Sequence, residues 1–558
     1  MANKALASVD TIDVVNASTN IIVESGGSIK RTSAKNLTAG IADGLLAEVG
    51  VKTQDLMSYG VSWDTAEGKG DPICTRTGNM LYHKELPIQN NMRGCIAQCV
   101  GTPRIMYYLN PNDWAFRADT RGFILKDKTI TATSTAKQYT ITDDIFGTIQ
   151  YEASYLKINN TSCKISNVNT TTKTATFLAD IAITEGTYDV QLGAVLNGYD
   201  GEVMVEVPEF WIKSWSDGTK REVRISPTKI DDTWEHQPRM LVAAYRECLY
   251  VGSGASANDK YGYYGQFLTK TGMCVKGNNF SRFEGGSDGT KSGYPRTNVS
   301  RTDMRTYVRK AGKELLSYKQ YKNLYWLYVI EYANFNSQAE FSANLTSDGY
   351  RQGGLGAGVT NFTDAQWKAY NDYNPIVKCG YSLTPGNNIN RSKISTTVTV
   401  DSTTSTVESY VPYWHGIEQP FGDVFTNLDG VIIDYSNKIT VDGVQYVPVY
   451  ATDNPSYYSD TDISKMDRVG LQVLTGNYIK EFDLGSTAEI IPTSVQGSAT
   501  LYKCDSNIAS TTATSLNTLL VGGGASSGAS AGLGYFYSAS AVSDRWSSRG
   551  FRACCVLK

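Results

Sequence analysis

Gly522-Gly523-Gly524-Ala525-Ser526-Ser527-Gly528-Ala529-Ser530-Ala531-Gly532 is a run of small residues near the carboxyl end of the chain. It passes into an aromatic and hydroxyl stretch from Tyr535 to Ser548 and closes on Arg549-Gly550-Phe551-Arg552-Ala553-Cys554-Cys555. Glycine accepts backbone geometries that other residues resist, so the run predicts tight loops that aim their neighbours outward. The candidate ligand contacts are Ser526, Ser527, Tyr535, Tyr537, Ser538, Ser540, Ser543, Asp544, Arg545, Trp546 and Ser547. Tyr and Trp give large contact area at low entropic cost, and Ser and Gly adapt to a partner. The competing reading places Tyr537 and Trp546 in the core of a terminal hairpin. Phe551, Ala553 and Cys554 read as buried strand positions. This composition suits holding a ligand more than transforming one.

Working back from this end, the segment after Tyr381 reads as short strands separated by Gly/Ser/Asn loops. Helices are few and clustered. Ser300-Arg301-Thr302-Asp303 predicts a capped start for a helix over Met304 to Ala311, stopped by Gly312. Ser317-Tyr318-Lys319-Gln320 is a second capping box, followed by Tyr321, Leu324, Tyr325, Tyr328 and Tyr332 at helical spacing. Asp364 to Tyr373 predicts a third, short helix. A few helices in a loop-rich β surround give an α+β plan. Residues 123–197 are Thr-rich, with alternating runs such as Thr129-Ile130-Thr131-Ala132-Thr133 and Thr174-Ala175-Thr176-Phe177-Leu178. They predict an immunoglobulin-like β-sandwich inserted in a surface loop of the body formed by 50–122 and 198–558. Residues 1–49 predict a separate small module. In it, strands at Thr11–Val15 and Ile21–Glu24 lead to a turn at Ser25-Gly26-Gly27-Ser28, a return strand from Ile29 and a short helix over Ser33 to Val49. Such a module is too small to stand alone and predicts docking onto a larger assembly, its own body being the simpler alternative.

At 558 residues the chain predicts two to four domains, and a net charge of -3 gives no reason to expect nucleic acid or an anionic membrane as partner. Tyrosine stands out, with 36 Tyr against 16 Phe. Tyr combines an apolar ring with a polar handle, which suits binding proteins and half-buried loops alike. The ten cysteines are scattered with no C-x-x-C pair, so they read as small buried residues of a chain folded in a reducing cytoplasm. The start, Met1-Ala2-Asn3-Lys4-Ala5, lacks the apolar core of a secretory leader, and no apolar run is long enough to span a membrane.

No catalytic constellation emerges. His83, His236 and His415 fit no metal-binding spacing, and no G-x-S-x-G elbow is present. His415 reads as a structural histidine, and Glu331 as a core carboxylate within reach of Arg305 or Arg309. Gly353-Gly354-Leu355-Gly356-Ala357-Gly358 lacks the following Lys-Ser/Thr of a phosphate loop and reads as a surface loop. Asp453-Asn454 and Asp460-Thr461-Asp462 supply oxygen ligands of the kind calcium takes, but read as solvated turns. The expectation is a non-enzyme without metal or other cofactor.

The order of several motifs carries a resemblance. These are Tyr59-Gly60-Val61-Ser62-Trp63-Asp64, Thr75-Arg76-Thr77-Gly78-Asn79-Met80, His83-Lys84-Glu85-Leu86-Pro87-Ile88-Gln89 and Val207-Pro208-Glu209-Phe210. Tyr325-Trp326-Leu327-Tyr328-Val329-Ile330-Glu331-Tyr332-Ala333-Asn334, Asn336-Ser337-Gln338, Gly416-Ile417-Glu418-Gln419-Pro420-Phe421-Gly422-Asp423-Val424 and Asp429-Gly430 follow, and the terminal segment completes the series. The series resembles fibre and tail proteins of gut Bacteroidales phages (crAss-like phages among them) that carry a C-type-lectin-like domain, including target proteins of diversity-generating retroelements. The likeness spans about residues 50–122 and 198–558, and nothing is carried to the insertion. It implies that residues 1–49 anchor to capsid or tail proteins, that the second capped helix is scaffold and that Gly416 to Gly422 underlies the binding face. Residues 520–555 would display the ligand contacts. The calcium-dependent sugar motif of such lectins is not evident; Glu418-Gln419-Pro420 is its nearest match. The resulting expectation is a structural virion protein, assembled in the host bacterial cytoplasm and homo-oligomeric, as a trimer. It would bind host-surface glycan or protein during attachment. The absence of a rod favours a capsid-attached head fibre over a tail fibre. The alternatives are a tail spike that cleaves surface polysaccharide, for which the repeats of a β-solenoid are missing, and a purely decorative capsid protein.

Overall fold

The computed structural model describes residues 52–557 except 149, 152–153, 197, 199, 250–270, 274–293 and 381–385, together with the strands Asn20–Ser25 and Ser28–Ser33. The protein is mainly β-sheet with few helices. The two N-terminal strands pair antiparallel in the register Ser25↔Ser28, as the Gly26-Gly27 signal predicts. The expected strand at Thr11–Val15 lies outside the described residues, as does the expected helix over Ser33 to Val49 beyond Ser33, which ends the strand Ser28–Ser33.

The organising element is the helix Tyr318–Tyr332. Its capping box forms as read: Ser317 accepts from the Gln320 backbone, and the Gln320 side chain returns to the Ser317 N–H. Every residue from Tyr321 to Tyr332 is buried, polar ones included. In a helix enclosed on all sides, an unpaired polar group costs free energy. Lys322 therefore meets Glu489, the Trp326 indole N–H donates to the Ala488 carbonyl at 2.7 Å, and Tyr321 donates to the Leu533 carbonyl at 2.7 Å. The helix Arg301–Lys310 is capped by Ser300 as expected, and Asp364–Asn371 by a Thr363–Gln366 capping box. Two shorter helices, Thr53–Met57 and Met80–Glu85, have no signal in the sequence reading.

Three sheets surround the central helix and share one core with it. A five-stranded sheet contains Tyr59–Asp64 and Lys220–Ser226, which touch the helix. A seven-stranded sheet runs through Glu314–Leu315, Ala553–Val556, Met240–Ala243, Glu202–Val207 and Arg93–Gln98. An eleven-stranded sheet holds Val431–Asp434, Leu516–Val521, Phe536–Ala541 and Ser506–Ile508 side by side. The alternation in Glu202–Val207 suggests one wet face, but all six residues are buried, because the strand is central and covered on both faces. The strands after Tyr381 are not uniformly short. Asn390–Val400 and Thr403–Trp414 form the longest hairpin, turning at Asp401 and Ser402 with φ of +48° and +66°.

The Thr-rich insertion is a unit with its own core, as its composition implies, but it is not a two-sheet sandwich. Six strands from Ile124 to Leu192 close into a barrel. Closure follows from the nine-residue strand Ile124–Ala132, which pairs with Gly186–Leu192 along most of its length and with Gln138–Thr142 at its end. The Arg117–Asp200 ion pair at 3.0 Å ties the two chain crossings together at the base of the barrel.

Candidate ligand-binding site

The terminal segment does not lie on the surface as one loop. Strand Phe536–Ala541 is central in the eleven-stranded sheet, antiparallel to Leu516–Val521 and parallel to Ser506–Ile508. Strand Ala553–Val556 sits inside the seven-stranded sheet, between Glu314–Leu315 and Met240–Ala243. Phe551, Ala553 and Cys554 are buried there. Residues 542–548 form a loop between Phe536–Ala541 and the short strand Arg549–Gly550 of the same eleven-stranded sheet, which pairs with Phe425–Asn427, and they are the part turned to solvent; the chain then crosses to the seven-stranded sheet through Phe551 and Arg552.

The small-residue run that precedes this strand is held from beneath. Gly522 has φ of +87°, and its carbonyl accepts from Gly422 at 3.0 Å, so the Gly416–Gly422 loop does underlie the segment. The Gln338 amide donates to the carbonyls of Gly528, at 2.9 Å, and Ala531. Leu533 N–H donates to Ser337 Oγ at 3.1 Å, and Gly534 N–H to Asp505 Oδ2 at 2.7 Å. Asp505 and Ser337 approach so closely that a Cβ on Gly532 would lie 2.0 Å from Asp505 Oδ1 and 2.5 Å from Ser337 Oγ. Burial pushes the Asp505 carboxyl well above the usual carboxylate range, with the Gly534 N–H acting the other way.

The eleven candidate residues divide by this framework. Tyr535, Ser538 and Ser540 are buried, which corrects the reading that placed them outward. They fall in or beside a central strand in which alternate residues face inward. Ser538 shares a 2.7 Å hydrogen bond with the Tyr435 hydroxyl, Ser540 accepts from Arg549, and Tyr535 packs against Phe425 with ring centroids 5.7 Å apart. Tyr537, on the alternate face, is half-buried with its ring 5.6 Å from Phe425. Ser526 and Ser527 are half-buried, and Ser527 Oγ accepts from the Gly524 N–H. Asp544 and Ser547 are half-buried, whereas Ser543, Arg545 and Trp546 are exposed.

Trp546 is 56 % exposed although its own backbone is fixed. Its carbonyl accepts from Asn298 at 3.0 Å and Arg549 at 3.1 Å. On one side Arg545 pairs with Asp303 at 3.0 Å; on the other, Ser547 Oγ donates to the Asp372 carbonyl at 2.9 Å. Beneath it the Arg549 guanidinium lies 5.5 Å from the indole ring, near Tyr537 and Asp544. Burial lowers the Arg549 pKa to about 10. An aromatic row therefore runs from Tyr535 through Phe425 and Tyr537 to Arg549 and Trp546. Asp303, Asn298 and Asp372 complete the surroundings of the tip. Sequence reasoning missed them, because they lie about 170 to 250 positions away and carry no local mark beyond a helix start and a helix end.

Elsewhere the polar candidates are committed to structural partners. Glu331 does not meet Arg305 or Arg309. It accepts from Trp414 and pairs with His415, both at 2.9 Å, because the helix end points at the Trp414-His415 turn. Arg305 instead joins Asp429 and Asp460, and Arg309 joins Glu314. Asp460, held down to a pKa of about 2 by Arg301 and Arg305 against its burial, is an ion-pair partner and not a free turn carboxylate. Asp453 pairs with Lys319 at 2.9 Å. Among the described residues no group of three or more His, Cys, Asp or Glu is placed to hold a metal ion. No described helix is long and apolar enough to cross a membrane.

Compared with protein-family models and with curated proteins, the chain matches none.

Proposed function

We propose that this chain is a structural fibre protein of a bacteriophage particle, attached to the capsid as a head fibre in preference to the tail. In this reading residues 1–49 anchor it to virion proteins, the body is a C-type-lectin-like domain, and the terminal tip grips a host-surface glycan or protein. The observation that carries the binding role is Trp546: a large aromatic side chain, over half exposed, whose carbonyl accepts two hydrogen bonds and whose neighbours Arg545 and Ser547 are tied by their side chains to Asp303 and Asp372. An exposed Trp beside an Arg has the composition of an interface hot spot. Ordering costs on binding are small when the contact residues are already fixed. The resemblance of the motif series to phage fibre proteins supports the choice of particle and host.

The test is adsorption and fractionation. Purified full-length chain is expected to sediment with Bacteroidales cells or bind a surface-glycan panel, and antibody to it is expected to detect it in purified virions. Failure of both would overturn the reading.

A further inference from the structure

Cys99 and Cys555 stand 456 positions apart in the chain, yet their sulfurs are 2.9 Å apart in the interior. Both side chains are buried and both thiols are free. Cys99 directly follows the strand Arg93–Gln98 and Cys555 lies in Ala553–Val556; in the seven-stranded sheet Glu202–Val207 and Met240–Ala243 stand between these two strands. The chain leaving Arg93–Gln98 turns back against Gly312, where an added Cβ would lie 2.4 Å from the Cys99 carbonyl. Two residues on, Glu314–Leu315 pairs with the last strand. This crossing is what brings Cys99 to Cys555.

We propose that Cys99 and Cys555 are a disulfide-forming pair, a modification site that fastens the last strand to the opposite side of its sheet. The sulfurs need to close only from 2.9 Å to a bond of about 2.05 Å. The neighbouring thiol is not a competitor: Cys554 points the other way along the strand and donates to Gln320 Oε1 at 3.0 Å. A cavity of about 30 Å³ borders Cys99, between Val100, Met106, Glu202 and Ala311. The proposed co-reactant is hydrogen peroxide, a small two-electron oxidant.

The chemistry balances with one hydroperoxide. The Cys99 thiolate attacks a peroxide oxygen; the O–O bond breaks, an S–O bond forms, and the departing hydroxide takes the thiol proton as water. Cys555 sulfur then attacks the sulfenic sulfur; the S–S bond forms, the S–O bond breaks, and a second water leaves with the Cys555 proton. The two sulfurs lose two electrons and the peroxide gains them. The hydrogen bond with Cys555, and then burial, hold the Cys99 thiol well above its ordinary pKa, so oxidation is slow and suits a lasting lock more than a rapid signal.

The experiment uses the full chain, reduced, freed of reductant and incubated with hydrogen peroxide. Free thiols counted by alkylation after denaturation fall from ten to eight, two per bridge. The non-reduced chain migrates faster in a denaturing gel, because the bridge closes most of its length into a loop, and reductant reverses the shift. Fragmentation of the linked tryptic peptides places the bond on Cys99, not Cys95, and on Cys555, not Cys554. Cys99→Ala and Cys555→Ala each abolish the bridge, and Cys554→Ala keeps it. The wild-type thiol count and peptide map decide the matter even where a variant fails to fold. Ten remaining thiols, two lost without a linked peptide, or a bond between other cysteines overturns the proposal.

Discussion

At the scale of single residues, the terminal segment is fixed by contacts that a side chain can break one at a time. Gly532 passes between Asp505 and Ser337 with no room for a methyl group. Gly532→Ala is expected to lower unfolding stability by about 1–3 kcal/mol, the cost of forcing extra volume into a packed site; chemical denaturation checks it, and an unchanged midpoint would contradict the geometry. Asp505 gives a pH prediction. Its folded pKa is raised by burial above the unfolded value near 3.8, so the folded chain holds this proton more tightly than the unfolded chain. The contribution to stability is complete below the unfolded value and is lost as pH rises towards the folded one, with a slope of at most about 1.4 kcal/mol per pH unit. Asn stays neutral at every pH. The stability of wild type relative to Asp505→Asn is therefore expected to fall as pH is raised from 4 to 8, and a difference that does not move with pH would count against a raised carboxyl.

At the scale of elements, the loop after the central helix and the inserted barrel make separable predictions. The Gln338 side chain donates to two carbonyls of the small-residue run, those of Gly528 and Ala531. Gln338→Ala is expected to raise amide exchange across residues 528–534 while leaving the barrel unchanged, since a lost hydrogen bond contributes about 1 kcal/mol locally. Equal exchange in wild type and Gln338→Ala would show that the brace is idle. The barrel has its own buried cluster, so the chain with 123–197 replaced by a short Gly/Ser link is expected to keep its body folded; loss of cooperative unfolding would show the two cores to be one. The capped helices were legible because capping boxes and 3.6-residue spacing are local signals. So was the insertion, whose Thr-rich alternation differs from its flanks. Its closure was not, because one long strand pairing with two partners leaves no local mark. Ser538 and Ser540 were misread for a related reason: small hydroxyl residues suit an exposed loop or a central strand equally, and the strands flanking Phe536–Ala541 decide between them.

At the scale of the whole molecule, the tip is anchored at both ends in the eleven-stranded sheet, by Phe536–Ala541 before it and Arg549–Gly550 after it, so it moves only if the sheet moves. This is a suitable design for repeated weak contacts, which gain strength from multiple copies. The homotrimer expected from the sequence resemblance predicts a solution mass of about three times the 61.0 kDa chain by light scattering, and a monomer would contradict it. The most direct test concerns Trp546. Its ring is largely solvated, so Trp546→Ala is expected to leave the unfolding midpoint within a degree or so of wild type. Adsorption of the same purified variant to host cells is expected to weaken by about 30-fold, the equivalent of about 2 kcal/mol. Unchanged adsorption by a folded Trp546→Ala variant would contradict the claim that this tip is where the protein meets its partner.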